Sequence, residues 1–268
     1  MKKKIKKIVS ILKRDELFIL PASLTYYFVL ALIPIITLII LIASSFNISI
    51  DIITSLIKDI LPNKIASFIV EFISGKGFDR NIGIFNIIAF ILATNGTYAI
   101  IRTANTLYKV NDSDVIKDRV KAVVILINIL LLMIFMILVP IFGKKILILI
   151  QNIDIISAIT DEVVIILNII KWPLTFFVLF FNIKLIYTLA PSKQLLSKNT
   201  TYGALLTTIL WIVSSIIFGY YIDYFANYDI LYGNLSSIII LMIWLYVLSF
   251  VFVLGMIINT IHYKEESE

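Results

Sequence analysis

Five long stretches without a charged residue constrain this chain more than any other feature, and each has at least 21 residues. A helix that crosses a bilayer needs about 20 mostly apolar residues. The composition agrees, because 60% of the residues are hydrophobic and 15% are charged, against about 45–50% and about 25% in soluble domains. We therefore predict an all-α membrane protein. The stretches are Leu17–Ile50, Asn81–Ile101, Ala122–Gly143, Asn199–Ile222 and Ile230–Tyr263.

A sixth span is predicted at Val163–Ala190, which is apolar apart from Lys171 and Lys184 and is followed by a proline. Proline cannot continue a helix, so the span ends there. The predicted fold is polytopic, with six transmembrane helices. In the first span, Pro21 is predicted to lie in the first turn of a helix over residues 22–46, where its missing N–H has no intrahelical partner to lose.

The chain contains no cysteine, and His262 is its one histidine. Disulfides, thiolate metal sites and thiol nucleophiles are therefore excluded. Catalysis based on histidine or on a metal would need more ligands than one imidazole supplies. We predict no enzymatic activity, no cofactor and no metal site.

Two shorter segments, Ile50–Leu61 and Asn63–Ser74, carry polar residues on one helical face and apolar residues on the other. Helices of this kind lie flat in the membrane interface. Two roles are open for them. They either cap the bundle or take part in gating or partner binding.

The Lys and Arg residues predict the orientation, because short cytoplasmic loops carry an excess of them. Fifteen fall on the side of the two termini and six on the other side. Both termini are therefore predicted to be cytoplasmic. Residues 1–20 are predicted to form a basic cytoplasmic or interfacial segment, and residues 264–268 a cytoplasmic tail. Residues 21–263 form the membrane domain, in which residues 50–74 are an amphipathic segment on the outer side. Positive charge next to the membrane attracts anionic lipid, so the pI of about 9.3 is no sign of nucleic-acid binding.

Polar side chains recur at helical spacing inside two of the predicted spans. Such groups usually face the bundle interior or a water-filled cavity and mark functional sites. We predict that the two stripes bind a substrate in one shared hydrated space. The first stripe is Asn95, Tyr98, Arg102 and Asn105, continuing to Lys109, and the second is Asn168, Lys171, Thr175 and Asn182.

The cationic members of the stripes leave alternatives open. Lys171 either extends to the outer surface, lines a cavity that meets an anionic headgroup, or pairs with a carboxylate such as Asp223. Arg102 is either an interior hydrogen-bond clamp or an anchor at the inner interface.

The leading functional hypothesis is a transporter or flippase-like protein for an anionic lipid, because cationic side chains lie in an otherwise apolar bundle. Its partners would be membrane lipids and no nucleic acid. The alternative is an envelope structural or assembly protein that docks a protein partner, or a second copy, through residues 50–74 and the aromatic last loop.

Several ordered strings of this chain resemble one known family. They are Ala22–Pro34; Arg102, Asn105 and Tyr108; Leu189–Pro191; Tyr202–Ala204; Trp211; Tyr232–Leu235; Trp244–Tyr246; and Leu254–Gly255. Together they are similar to the YihY/BrkB family of integral membrane proteins.

The resemblance implies a bacterial cytoplasmic-membrane protein with six helices and both ends inside. Some members have been proposed to move lipids and others to affect resistance to host serum. The family's older ribonuclease label fits poorly, because the chain offers no metal cluster and no general-base histidine. Ile257 stands where the family usually has an acidic residue.

Overall fold

A computed structural model describes residues 15–45, 49–60, 63–74, 83–151, 160–224 and 228–267. Within these ranges the description leaves out the side chains of residues 43–44, 56, 59–60, 72–74, 83–86, 136–151, 160–172, 229, 234 and 264–267. Every regular element in this part of the chain is helical. The helices are α1 (Glu16–Ser45), α2 (Ile50–Ile60), α3 (Asn63–Ser74), α4 (Gly83–Tyr108), α5 (Val115–Gln151), α6 (Thr160–Leu189), α7 (Thr201–Tyr224), α8 (Tyr228–Tyr232) and α9 (Ser236–Ser267), with 3₁₀ turns at Ser197–Thr200 and Gly233–Leu235.

The long helices form a ring in chain order. α1 packs on α4, α4 on α5, α5 on α6, α6 on α7 and α7 on α9, and α9 closes the ring against α1. Short connections between antiparallel helices favour this neighbour-to-neighbour order, although α1 and α4 are joined through α2 and α3. The helix arrangement thus places α5 between α4 and α6.

The interior of the ring is mainly apolar, although polar side chains are also buried in it. One buried cluster draws residues from all six long helices, among them Leu24, Ile101, Ile125, Ile183 and Val253. It fills the end of the bundle that carries the connections 109–114 and 190–196, which we call the loop end.

A second buried cluster lies at the opposite end, which we call the cap end. Ile53 of α2 and Ile65 and Ile69 of α3 pack there against Phe218 and Ile240 of the bundle. The apolar faces of the two amphipathic helices are therefore covered by protein. Their predicted bounds agree with the structure, apart from Leu61, which lies outside the described residues.

Among the residues that the structure describes, four helices are long and apolar enough to cross a membrane: Glu16–Ile42, Ile87–Tyr108, Ser197–Tyr224 and Ser236–Tyr263. The chain is thus a multi-pass, all-α membrane protein. α5 and α6 run for 37 and 30 residues over the other two predicted spans. That they also cross the bilayer, and that both termini are cytoplasmic, remain predictions.

The start of α1 corrects one expectation. The helix begins at Glu16, so Pro21 lies inside it and not in its first turn. Tertiary packing explains the extra turn, because Leu17 is fully buried and the ring of Phe18 lies 6.2 Å from that of Phe250 on α9.

Two glycines set the contact between α7 and α9. A Cβ atom at Gly255 would collide with the Thr207 hydroxyl and the Tyr187 hydroxyl, and one at Gly203 would collide with the Gly255 carbonyl and the Asn259 amide. Small residues at helix contacts allow the backbones to approach closely. This contact also holds a buried hydrogen bond of 2.7 Å from the Tyr187 hydroxyl to the Phe252 carbonyl.

We predict that Gly255→Ala lowers the free energy of unfolding by about 1–3 kcal/mol, the usual cost of overpacking a tight contact. The measurement is the midpoint of thermal unfolding in detergent. The loss of the monodisperse peak in size-exclusion chromatography reports the unfolded fraction. Gly233→Ala is a control for added volume, since nothing lies within 4 Å of its Cβ position, although its positive φ adds a backbone cost. An unchanged midpoint in Gly255→Ala would contradict the packing argument.

The C-terminus of α4 ends on a residue in the left-handed region. Lys109 has φ of 55°, its N–H donates to the Thr106 carbonyl at 3.2 Å, and the Val110 N–H donates to the Asn105 carbonyl at 2.9 Å. This is the Schellman pattern, in which the residue in the left-handed conformation is usually glycine.

We predict that Lys109→Gly stabilises the protein by about 1 kcal/mol, because a non-glycine residue in this conformation carries a steric cost of that order. The same thermal assay measures it. Lys117→Gly, in the first turns of α5, should instead destabilise the protein, since glycine in a helix interior costs about 1 kcal/mol.

Candidate functional site

Arg119, in the second turn of α5, binds two residues of the first predicted stripe. Its Nη1 donates to the Asn95 Oδ1 at 2.8 Å, and its Cζ lies 4.0 Å from the centre of the Tyr98 ring. The distance is that of a cation–π contact. The side chain of Arg119 is nevertheless exposed, so the guanidinium lies on the outer surface of the α4–α5 pair.

The register of the two helices gives the direction in which Arg119 points. The Thr97 hydroxyl donates to the Ala122 carbonyl at 2.8 Å, so these positions are level. Because the helices are antiparallel, the backbone of Arg119 is level with about residue 100 of α4. Asn95 lies roughly 7 Å farther from the loop end at 1.5 Å per residue. The guanidinium is therefore turned away from the nearer end of the bundle, whereas basic side chains near helix ends normally extend toward the headgroups.

The start of α5 is fixed by a helix cap. The Oδ1 of Asp114 accepts hydrogen bonds from the backbone N–H groups of Lys117 at 3.3 Å and Ile116 at 2.9 Å. These bonds hold the pKa of the Asp114 carboxyl below its ordinary value. The cap stabilises the fold above that ordinary value, and this contribution is lost as the pH falls through the lowered pKa.

Asp118, next to Arg119, points into the bundle and forms what we call the inner polar cluster with Asn105 and Ser192. The Asn105 Nδ2 donates to the Asp118 Oδ2 and to the Ser192 Oγ, both at 3.1 Å. The Ser192 N–H donates to the Asn105 Oδ1 at 2.7 Å, and its hydroxyl donates to the other Asp118 oxygen. Asp118 is 1% exposed, so these bonds replace the water that its carboxylate would otherwise bind.

A second contact holds the same connection. Lys121, one turn after Asp118, donates from its Nζ to the Pro191 carbonyl at 2.9 Å. The segment that follows α6 is thus tied to α5 by two charged side chains.

The structure separates the predicted stripe residues. Asn95 and Tyr98 contact Arg119, Asn105 lies in the inner polar cluster, and Arg102 is exposed on the surface, as expected for an interface anchor. On α6, the Asn182 Nδ2 lies 3.5 Å from the Asn128 carbonyl of α5. Thr175 is partly buried. The side chains of Asn168 and Lys171 lie outside the described residues.

Four described members of the two stripes contact α5 or the segment after α6, and none of them bonds to a member of the other stripe: Asn95, Tyr98, Asn105 and Asn182. Asp223, one candidate partner for Lys171, accepts a hydrogen bond of 3.1 Å from the Asn63 amide. Whether the stripe residues bind a substrate remains a prediction.

Arg119, Asp118 and Ser192 were missed by the sequence reasoning. The two charged residues precede the third charge-free stretch and were counted only as loop charge. The sequence did contain one signal for these two residues. Asp118 and Arg119 lie within one helical repeat of Ala122, where the third predicted span begins, so the same helix could include them. Ser192 carries no comparable signal.

Comparison with known proteins decides the family. The model of the family described as virulence factor BrkB matches residues 8–268. The chain belongs to the BrkB family. It is 30% identical over 249 residues to the ribonuclease-like protein YfkH of Bacillus subtilis (strain 168), covering 91% of this chain and 90% of that protein.

Shorter matches reach other members. A UPF0761 membrane protein of Idiomarina loihiensis is 31% identical over 75 residues, covering 28% of this chain and 26% of the relative. One of Tolumonas auensis is 40% identical over 74 residues, covering 28% and 24%. No solved structure matches the chain.

Several of the strings that carry the BrkB resemblance meet at the loop end. Asn105 bonds to Ser192, directly after the Leu189–Pro191 string. Gly203 lies against Gly255, and the Tyr108 ring lies 6.1 Å from that of Tyr263. These BrkB strings thus form contacts between helices that are distant in sequence.

We predict that Asp118→Ala lowers the free energy of unfolding by about 2–3 kcal/mol, because the Asn105 amide and the Ser192 hydroxyl lose a buried acceptor. The midpoint of thermal unfolding in detergent measures this change in stability. Asp112→Ala, an exposed carboxylate in the connection before α5, is the matched control and should leave the midpoint unchanged. Equal midpoints in both variants would remove the structural role of the inner polar cluster.

Proposed function

We propose that this BrkB family member is a flippase-like transporter of an anionic lipid, with six spans and both termini on the cytoplasmic side of a bacterial cytoplasmic membrane. One observation carries the proposal. Asn95, Tyr98 and Arg102 form a polar track along one face of α4, on which Arg102 is exposed and Asn95 and Tyr98 are partly buried, while an apolar cluster fills much of the interior. A headgroup would move along this outer track while its chains stay in the bilayer.

A groove between α1 and α9 supports an amphiphilic substrate. Its volume is about 490 Å³, and it is lined by Val29, Leu30, Met242 and Ile243 with the ring of Tyr246. Ligand sites have volumes of about 300–1,000 Å³. The lining is almost entirely apolar, so the groove suits an acyl chain and not a headgroup.

The proposal assigns no enzymatic activity, cofactor or metal to the chain. Moving a lipid requires only that the protein lower the cost of bringing a headgroup into the hydrocarbon region. A polar or charged group there is expensive unless it is paired. The amide and guanidinium groups of the track would supply such pairing.

A docking role is a second candidate, favoured by one observation at the cap end. Ile230 and Leu231 of α8 are 80% and 78% exposed, and Tyr224 is 72% exposed. Exposed apolar patches mark interaction surfaces with proteins or membranes. Site-specific crosslinking from Leu231 would favour docking if it trapped a single protein partner at equal stoichiometry.

The transport proposal is tested with the full chain in phosphatidylcholine vesicles that contain fluorescent phosphatidylglycerol. We expect the protein to speed the exchange of the labelled lipid between leaflets above the rate in protein-free vesicles. Arg102→Ala should slow the exchange about tenfold, since a charge-assisted hydrogen bond is worth about 1.5–3 kcal/mol. Lys171→Ala tests the second stripe in the same assay.

Lys117→Ala is the matched control, because Lys117 is an exposed cation that pairs with Asp114 at 3.7 Å and lies off the track. It should transport like the wild type. Exchange no faster than in protein-free vesicles would overturn the proposal.

A further inference from the structure

Arg119 carries a charge that the described part of the protein does not balance. No carboxylate among the described residues lies within ion-pair distance of its guanidinium, and the neighbouring Asp118 is bonded inside the inner polar cluster. A charged group in hydrocarbon surroundings requires a partner of opposite sign. An anion from outside the described chain can therefore serve as that partner.

The geometry leaves the guanidinium able to bind an anion. A guanidinium has five N–H donors in a fixed fork, and Asn95 accepts only from Nη1. The Tyr98 ring lies against the guanidinium at 4.0 Å and limits its motion. An arginine whose plane is held in this way is prepared for two parallel hydrogen bonds to a phosphate.

The surroundings of Arg119 select a lipid over a soluble anion. Ile116 and Val120 of α5 are 77% and 59% exposed, and Val124 is 47% exposed. On α4, Ile91 is 55% exposed. A ligand at this position therefore meets apolar side chains on both helices as well as a cation, which fits an anion joined to acyl chains.

A second cation lies on the same surface. Arg102 follows Tyr98 by four residues on α4, so the two side chains share a helical face, and Arg102 is exposed. Arg102 is nearer to the loop end than Asn95 is. The two arginines therefore mark a basic strip that runs from the loop end toward the middle of the bilayer.

We infer that Arg119, held by Asn95 and Tyr98, binds the phosphate of an anionic phospholipid in the leaflet at the loop end. The inference rests on the proposed function for its ligand class. It adds the binding residue, the phosphate as the recognised group and the leaflet. Guanidinium N–H groups donate to the phosphate oxygens, and the acyl chains lie along the exposed faces of α4 and α5.

The test measures lipid binding, separately from transport. The full chain is purified in a neutral detergent and titrated with fluorescent phosphatidylglycerol and, in parallel, with fluorescent phosphatidylcholine. Arg119→Gln should weaken phosphatidylglycerol binding about tenfold and phosphatidylcholine binding much less, because the phosphate of phosphatidylcholine is already balanced by its own choline cation. Arg119→Lys keeps the charge but loses the fork, so its affinity should lie between those of the wild type and Arg119→Gln.

Lys117→Gln is the matched control, because it removes the same charge from the same helix two residues away and should bind like the wild type. Asn95→Ala leaves the arginine in place and provides a second variant if Arg119→Gln does not fold. It should weaken phosphatidylglycerol binding several-fold by freeing the guanidinium.

Three results would overturn the inference. Arg119→Gln could bind phosphatidylglycerol as tightly as the wild type does. Both lipids could lose affinity equally. Inorganic phosphate at constant ionic strength could displace phosphatidylglycerol, which would assign the site to a soluble anion. A wild-type protein that binds phosphatidylglycerol through Arg119 but exchanges no lipid would retain this site and remove only the transport proposal.

Discussion

A bilayer offers no water to a backbone amide, so every membrane-embedded N–H and C=O must bond within the protein. This constraint makes the chain helical and leaves the side chains to hold the helices together. Buried polar groups then bond across helices. The Thr97 hydroxyl bonds to the Ala122 carbonyl, and the Trp211 indole to the Leu248 carbonyl at 2.9 Å. These bonds fix the register of neighbouring helices, which apolar packing alone specifies less sharply.

The helices could be predicted from the sequence because hydrocarbon excludes charge, but charge-free length underestimates their extent. α4 continues past Arg102 to Tyr108, and α5 begins at Val115, before three basic residues. Helices continue beyond the apolar band when their ends are packed or capped, as Asp114 caps α5. The bounds of the amphipathic helices α2 and α3 were predicted accurately, apart from Leu61, since a helical periodicity of apolar residues marks such helices directly.

The candidate site was predicted in part. Spacing along one helix identified Asn95, Tyr98 and Arg102 as sharing a face, but it contains no information on which helix lies opposite. Asn105 meets Asp118 across 13 positions and Ser192 across 87. Only the closed ring brings these residues together, and this depends on packing between all the long helices. The predicted space shared by the two stripes took no account of α5, which lies between α4 and α6; that the stripes share such a space remains a prediction.

Asp118 and Arg119 show how the buried and exposed sites are coupled. Successive residues on an α-helix differ by about 100° in direction, so fixing one side chain sets the direction of the next. The inner polar cluster holds the Asp118 carboxylate toward the bundle through two hydrogen bonds. This fixes the rotation of α5 and directs Arg119 onto the Tyr98 ring at the surface. A rotation of α5 that brought Arg119 inward would expose the Asp118 carboxylate to hydrocarbon and leave Asn105 without its acceptor. The buried carboxylate therefore keeps the cation on the lipid side, where an anionic headgroup can reach it.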